Sequence, residues 1–442
     1  MIPRVAITDP FLIAFLFAVV AAVVCMGRAS FATGLFCSTW SFAFNVDIGP
    51  STMLRIGVGA MLCAGLAFSF KKRHGVGRTL TAPSVRNYVI VLAAWAGWIG
   101  ITYVTGDQSE LSILIIKNFV LYTLLPSGMI LMFVDDFGQV RELAYGFLVA
   151  SAIGGGISIS GIASPASAES LDVIRGFSGV NYVTYAWGPG IAALLGMGLL
   201  LLAESTFLKA LISVMIGICT VTLLLTGARQ SAIAFGAALA FVLWVIARNR
   251  ARFWKRVVIG AVLGCIYAVT FLSTDIGVNV LSKRWSLLSV DFGMREDLWA
   301  QAWNVFTQAP ILGNGLTYLP EGDTAHNLML DLLASQGIVG VLFLTVFVAV
   351  VAQAGNVRFL GSCRSEGRTW KVVVQSIMLF TVIHSSVSGS VTSVPHFFWA
   401  PTLLVQLSAM ARRKSGLVSH MTGLVDRAAC QRTSEVERLV AE

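Results

Sequence analysis

Residues 291–340 read DFGMREDLWAQAWNVFTQAPILGNGLTYLPEGDTAHNLMLDLLASQGIVG and form the longest polar interruption in a strongly apolar chain. The spacing of Leu298, Trp299, Ala302, Val305, Phe306 and Ala309 predicts a helix, with Arg295 in its first turn. Pro310 ends that helix, because proline cannot continue it and disfavours helix in the residue before it. Gly313 and Gly315 allow a tight turn, and Asp323 and Thr324 offer capping side chains just ahead of His326. A cation, a turn and a titratable ring are thereby expected at one edge of an apolar bundle, as an active site.

Outward from this stretch the chain is greasy. Its 442 residues are 56% hydrophobic and 12% charged, with a mean hydropathy of +0.80. Soluble domains carry roughly 25% charged residues. Apolar runs near 11–27, 53–70, 87–105, 111–133, 143–161, 181–203, 207–225, 231–247, 257–273, 326–352, 372–388 and 394–410 are long enough to cross about 30 Å of hydrocarbon. The expected fold is all-α: a polytopic helical membrane protein of about 12 transmembrane helices. One large extracytoplasmic loop, 274–325, is expected to contain the amphipathic helix, which lies along the outer membrane surface. Residues 1–410 read as a single membrane domain and 411–442 as a poorly ordered cytoplasmic tail.

Residues 29–45 are apolar but contain Ser30, Thr33, Ser38, Thr39, Ser41 and Asn45. Read as re-entrant or interfacial they leave twelve spans, the count favoured here; read as a span they make thirteen. No cleavable signal is evident at the N-terminus.

The net charge of +9 would suggest nucleic acid in a soluble protein. Here the basic residues gather in short loops around 71–86, 248–256, 358–371 and 412–414, which the positive-inside bias places in the cytoplasm. The seven cysteines form no CxxC pair and fall mostly in apolar runs, as packing residues rather than disulfides or metal ligands. The outer carboxylates are scattered, with no DxD pair or histidine cluster, so no metal site and no cofactor is expected. GNG at 313–315 lacks the Lys-Ser/Thr of a phosphate-binding loop.

The cations on the opposite side call for a separate reason. Arg175 lies in the 162–180 loop, Lys283 and Arg284 open the large loop, and Arg229 follows the Thr-Gly-Ala turn at 226–228. Arginine at a helix end often snorkels to headgroups. Small neighbours (Ser231, Ala232, Ala234, Gly236) instead allow close helix approach, which would draw Arg229 into the bundle. A guanidinium there suits a diphosphate, which it grips bidentately. Arg295 either does the same or pairs with Asp291, Glu296 or Asp297. His326 is either a structural histidine or, beside a mobile turn and followed by Asn327, a group that takes a proton near neutrality. His384 and His396 read mainly as structural. Lys117 is the clearest charge inside a span.

Arg295, Trp299 and Ala302 spaced as RxxxWxxA, then Pro310, Gly313, Gly315, His326–Asn327 and Gly337–Gly340 resemble the segment shared by the O-antigen ligase and polymerase superfamily. The Thr226–Arg229 turn is similar to the T/S-G-x-R turn of that family, with Gln230 where the family often has glycine. The resemblance implies metal-independent glycan transfer on the periplasmic face of the bacterial inner membrane. The donor would be an undecaprenyl-diphosphate-linked glycan, and the acceptor a lipid A-core sugar for a ligase or a second lipid-linked glycan for a polymerase. Arg229 and Arg295 would hold the diphosphate, His326 would orient or deprotonate the acceptor hydroxyl, and Asn327 would support the ring or the sugar. Arg284, Lys283 and Arg175 are expected to contact substrate. A flippase and a chain-length regulator are implied as partners. A membrane transporter is the alternative from another class, disfavoured by the absence of an internal repeat.

Overall fold

The computed structural model describes residues 29–43, 82–106, 108–162, 182–226, 228–247, 288–319, 324–356, 364–388 and 397–413. Within them the chain is helical and contains no strand. In chain order the helices are α1 (Ala29–Ala43), α2 (Pro83–Thr105), α3 (Glu110–Phe133), α4 (Phe137–Ile162), α5 (Tyr182–Leu202), α6 (Thr206–Leu225), α7 (Arg229–Ala247), α8 (Leu288–Gln308), α9 (Leu328–Gly355), α10 (Arg364–Ser388) and α11 (397–413). Four of them, α2, α3, α6 and α9, are long and apolar enough to cross a membrane. This is an all-α membrane protein.

The polar residues that make 29–45 ambiguous are explained by packing. Helix α1 lies against α4, with Ser30, Thr33 and Ser38 buried. Ser30 donates to the Phe133 carbonyl at 2.8 Å, and Ser38 and Ser151 share a hydrogen bond of 2.9 Å. Gly34 and Gly146 let the two backbones touch, since a Cβ on either would strike a carbonyl of the other helix. Small residues commonly permit this between membrane helices. Helix α1 packs against other helices along its length, its start beside Phe133 and a later turn beside Ser151.

One aromatic cluster of the core joins α2, α9 and α11. Trp95 packs against Phe347 and Phe398, with ring centroids 5.4 and 5.2 Å away. Tyr88 donates its buried hydroxyl to the Phe398 carbonyl at 2.9 Å. At one end of the bundle Ser112 on α3 and Thr317 on the loop after α8 share a 2.7 Å hydrogen bond. At another point Arg141, opening α4, pairs with Glu366, opening α10, at 2.6 Å. The first contact joins the start of α3 to the loop after α8, and the second joins the starts of α4 and α10. Helix α11 continues through 413, so the first three residues assigned to the tail are helical; 414–442 lie outside the described residues.

Candidate active site

The site is built where α8, the turn after it and the start of α9 meet. Helix α8 starts at Leu288, so Arg295 sits two turns in, not in the first turn; the apolar spacing that predicts the helix only begins at Leu298. The stop at Pro310 is as expected, with the helix ending at Gln308. Ala302 on α8 packs on Ala325 and Ala334, three small side chains that let helix, loop and α9 approach closely. From the same face Trp299 donates its indole N–H to the Ala325 carbonyl at 2.9 Å. Arg295 precedes Trp299 by four residues and so lies next to it on that face, about 5–6 Å away between Cβ atoms. It is half-buried and makes no ion pair with the exposed Glu296 or Asp297. Asp291's side chain lies outside the described residues.

His326 has φ 49°, the one described non-glycine residue in the left-handed region. Histidine tolerates that region better than most residues, but such a conformation persists only where the surroundings impose it. Both neighbours supply the constraint. On one side the Ala325 N–H donates to Tyr318 Oη at 3.0 Å and to Asp331 Oδ1 at 2.9 Å. On the other side Asn327 caps α9, its Oδ1 accepting from the N–H groups of Met329 and Leu330 at 3.1 and 3.3 Å. The capping role expected of Thr324 and Asp323 is therefore taken by Asn327. Thr324 instead places its hydroxyl 3.3 Å from His326 Nδ1, and Asp323 lies outside the described residues. The ring itself is half-buried.

Asp331 is the buried charge the sequence reading passed over in favour of Lys117. It is 1% exposed, in the first turn of α9, whereas Lys117 is exposed on α3. Tyr318 donates its hydroxyl to Asp331 Oδ1. Burial, together with the Asp331 carboxylate beside it, pushes the Tyr318 phenol well above its ordinary range, so it stays a proton donor. Among the described residues Asp331 Oδ2 has no hydrogen-bond partner. The signal was present, an acid four residues into an apolar run, and such residues are functional candidates by default.

Below this network α9 breaks at Gly337, with φ 65° and ψ −164°. The break frees backbone groups that the 309–315 turn satisfies. Asn314 and Gly315 donate to the carbonyls of Ala334 and Ser335 at 2.9 and 3.2 Å, while Ile338 donates to the Pro310 carbonyl at 2.9 Å. A Cβ on Gly313 would overlap the Ser335 backbone, and one on Gly337 would overlap the Ile311 carbonyl. Non-helical backbone is tolerated in a membrane helix only when buried and paired in this way. Two indoles on α2 complete the pairing: Trp95 Nε1 donates to Gln336 Oε1 at 2.9 Å, and Trp98 Nε1 to the Gln336 carbonyl at 3.3 Å. Asn314 Nδ2 reaches back to the Val305 carbonyl at 2.7 Å, locking the turn to α8.

Residues 211–345 match the family model described as O-Antigen ligase. The match supports the O-antigen ligase and polymerase superfamily and covers α8, the glycine turn, His326 and the break in α9, together with Arg229 upstream. No curated protein matches the chain. The matched segment includes Tyr318, Asp331 and the 309–315 turn; Trp95 and Trp98 lie outside it.

The other candidates are distributed differently. Arg229 opens α7 and is half-buried, as its small neighbours suggest, with Thr226 Oγ1 accepting from the Ala228 N–H at 3.3 Å. Helix α7 packs chiefly on α10, whereas α9 packs on α2, α8 and α10, so the helix contacts join Arg295 to His326 more directly than Arg229. Arg175, Lys283 and Arg284 lie outside the described residues, as does His396. His384 is fully buried, and its Nε2 accepts from Trp187 at 2.7 Å, a structural contact. Among the described residues no group of three or more His, Cys, Asp or Glu side chains could hold a metal ion.

Proposed function

We propose that this protein is a glycosyltransferase of the bacterial inner membrane, acting on the periplasmic face in surface polysaccharide or lipopolysaccharide biosynthesis. It moves a glycan from an undecaprenyl-diphosphate carrier to an acceptor sugar hydroxyl. The observation that carries the reading is His326, held at φ 49° by bonds to both neighbours, on a loop tied to the helix of Arg295.

In this reading the acceptor hydroxyl gives its proton to His326 while its oxygen attacks the anomeric carbon. The contact between Thr324 Oγ1 and His326 Nδ1 orients the ring, and the proton goes to whichever ring nitrogen is unprotonated. The bond from the anomeric carbon to the diphosphate oxygen breaks, and undecaprenyl diphosphate leaves. Arg295 and Arg229 bind that diphosphate and neutralise the charge that grows on it, which is where fixed cations accelerate transfer most. Asn327 has its Oδ1 engaged in the cap, so its Nδ2 is the atom offered to substrate. Arg284, Lys283 and Arg175 add contacts from the outer loops, and no metal ion takes part.

A ligase uses lipid A-core as acceptor and a polymerase uses a second lipid-linked glycan, with the same chemistry; a flippase would supply the donor and a chain-length regulator would set polymer size. Deleting the gene in its host and sizing both carrier-linked and surface glycan tests this. Long polymer stranded on the carrier assigns a ligase, and single repeat units assign a polymerase. No change in either pool refutes the proposal and favours the transporter.

A further inference from the structure

At the other end of α9, a cavity of about 620 Å³ opens between α9, α10 and α11. Its body is mostly apolar, lined by Phe347, Phe397 and Leu404; Asn356, Lys371 and Gln375 lie at one end, and Thr381, whose hydroxyl bonds the Ile377 carbonyl, lies toward the other. Asn356 closes α9, whose 28 residues rise roughly 40 Å from the His326 end. The cavity is therefore remote from the reacting groups.

Its dimensions and charge match one kind of occupant. Along α10 the lining runs from Lys371 to Val382. That is a rise of roughly 16 Å at 1.5 Å per residue, close to half of the ~30 Å hydrocarbon core and so to one leaflet. The polar end is also the basic end. Arg368 is exposed one turn before Lys371, and Ser408 of α11 donates to the Ala354 carbonyl at 2.5 Å, which brings the exposed Arg412 and Arg413 to the same level. Basic pockets between membrane helices attract anionic lipid headgroups.

We propose that this cavity is a binding site for an anionic glycerophospholipid, its phosphate at Lys371 and an acyl chain along the Phe347–Phe397 wall. The polyprenyl donor is disfavoured as occupant because its diphosphate must reach His326, at the opposite end of α9.

The test is native mass spectrometry on the delipidated full-length protein, titrated with phosphatidylglycerol and, separately, phosphatidylcholine. The wild type should retain one phosphatidylglycerol under conditions that strip phosphatidylcholine. Lys371→Gln should weaken phosphatidylglycerol about fivefold, the effect of one surface cation. Ala352→Trp and Val348→Trp each fill the groove from an exposed lining position and should abolish retention while leaving the thermal melt unchanged. Equal retention of the two lipids, insensitivity to Lys371→Gln, or insensitivity to both tryptophan variants would overturn the proposal. So would one-for-one displacement of phosphatidylglycerol by a polyprenyl phosphate.

Discussion

The indole N–H of Trp299 donates to the carbonyl of Ala325 at 2.9 Å, tying the helix of Arg295 to the residue immediately before His326. Phenylalanine keeps the ring and removes the donor. Trp299→Phe should lower transfer about tenfold, the equivalent of one neutral hydrogen bond of roughly 1.4 kcal/mol. The protein should melt within a few degrees of wild type. Initial rates on reconstituted protein check this, and an unchanged rate would detach the loop position from the chemistry.

Tyr318 and Asp331 act on His326 through the Ala325 N–H, so they are positioning residues and should behave as a unit. Tyr318→Phe and Asp331→Asn should each reduce kcat more than they raise KM. A double-mutant cycle on transfer should return a coupling of about 1–3 kcal/mol. Additive effects would mean that the two groups hold separate features.

The break in α9 makes a stability prediction. Gly337→Ala must place a Cβ on the Ile311 carbonyl in a left-handed conformation and should destabilise the fold by at least about 2 kcal/mol. Gly313→Ala meets the Ser335 backbone and should cost a similar amount. Thermal unfolding in detergent measures both, and wild-type stability in either variant would contradict the described turn.

Trp95→Phe leaves Gln336 Oε1 buried without its donor, which costs about 1–3 kcal/mol. Trp98 is half-buried and its bond to the Gln336 carbonyl is longer, at 3.3 Å, so Trp98→Phe should cost less. The same melts rank the two, and the reverse order would show that the helix break is supported elsewhere.

Much of this was legible in the sequence because it is local. Hydropathy gives the long apolar helices α2, α3, α6 and α9, Pro310 gives the end of α8, and the two glycines give the turn. His326 and Arg295 stand out because charge and titratable rings are rare in a chain with 12% charged residues. What is illegible depends on pairing between distant segments. Nothing near Trp95 announces that its donor will meet Gln336, 241 positions away. Ser30, Thr33 and Ser38 look like reasons to keep α1 out of the bundle, yet they are satisfied within it. Asn327 is readable as a cap only once α9 is known to start at Leu328 rather than at His326.

The most direct test of the central claim is single-turnover glycan transfer from an undecaprenyl-diphosphate donor by purified protein carrying His326→Ala or Arg295→Ala. Both variants should insert, bind detergent and melt like the wild type, yet transfer at least ~100-fold more slowly, as expected for loss of a general base or a leaving-group cation. Wild-type transfer rates in both variants would contradict the assignment of this loop as the active site.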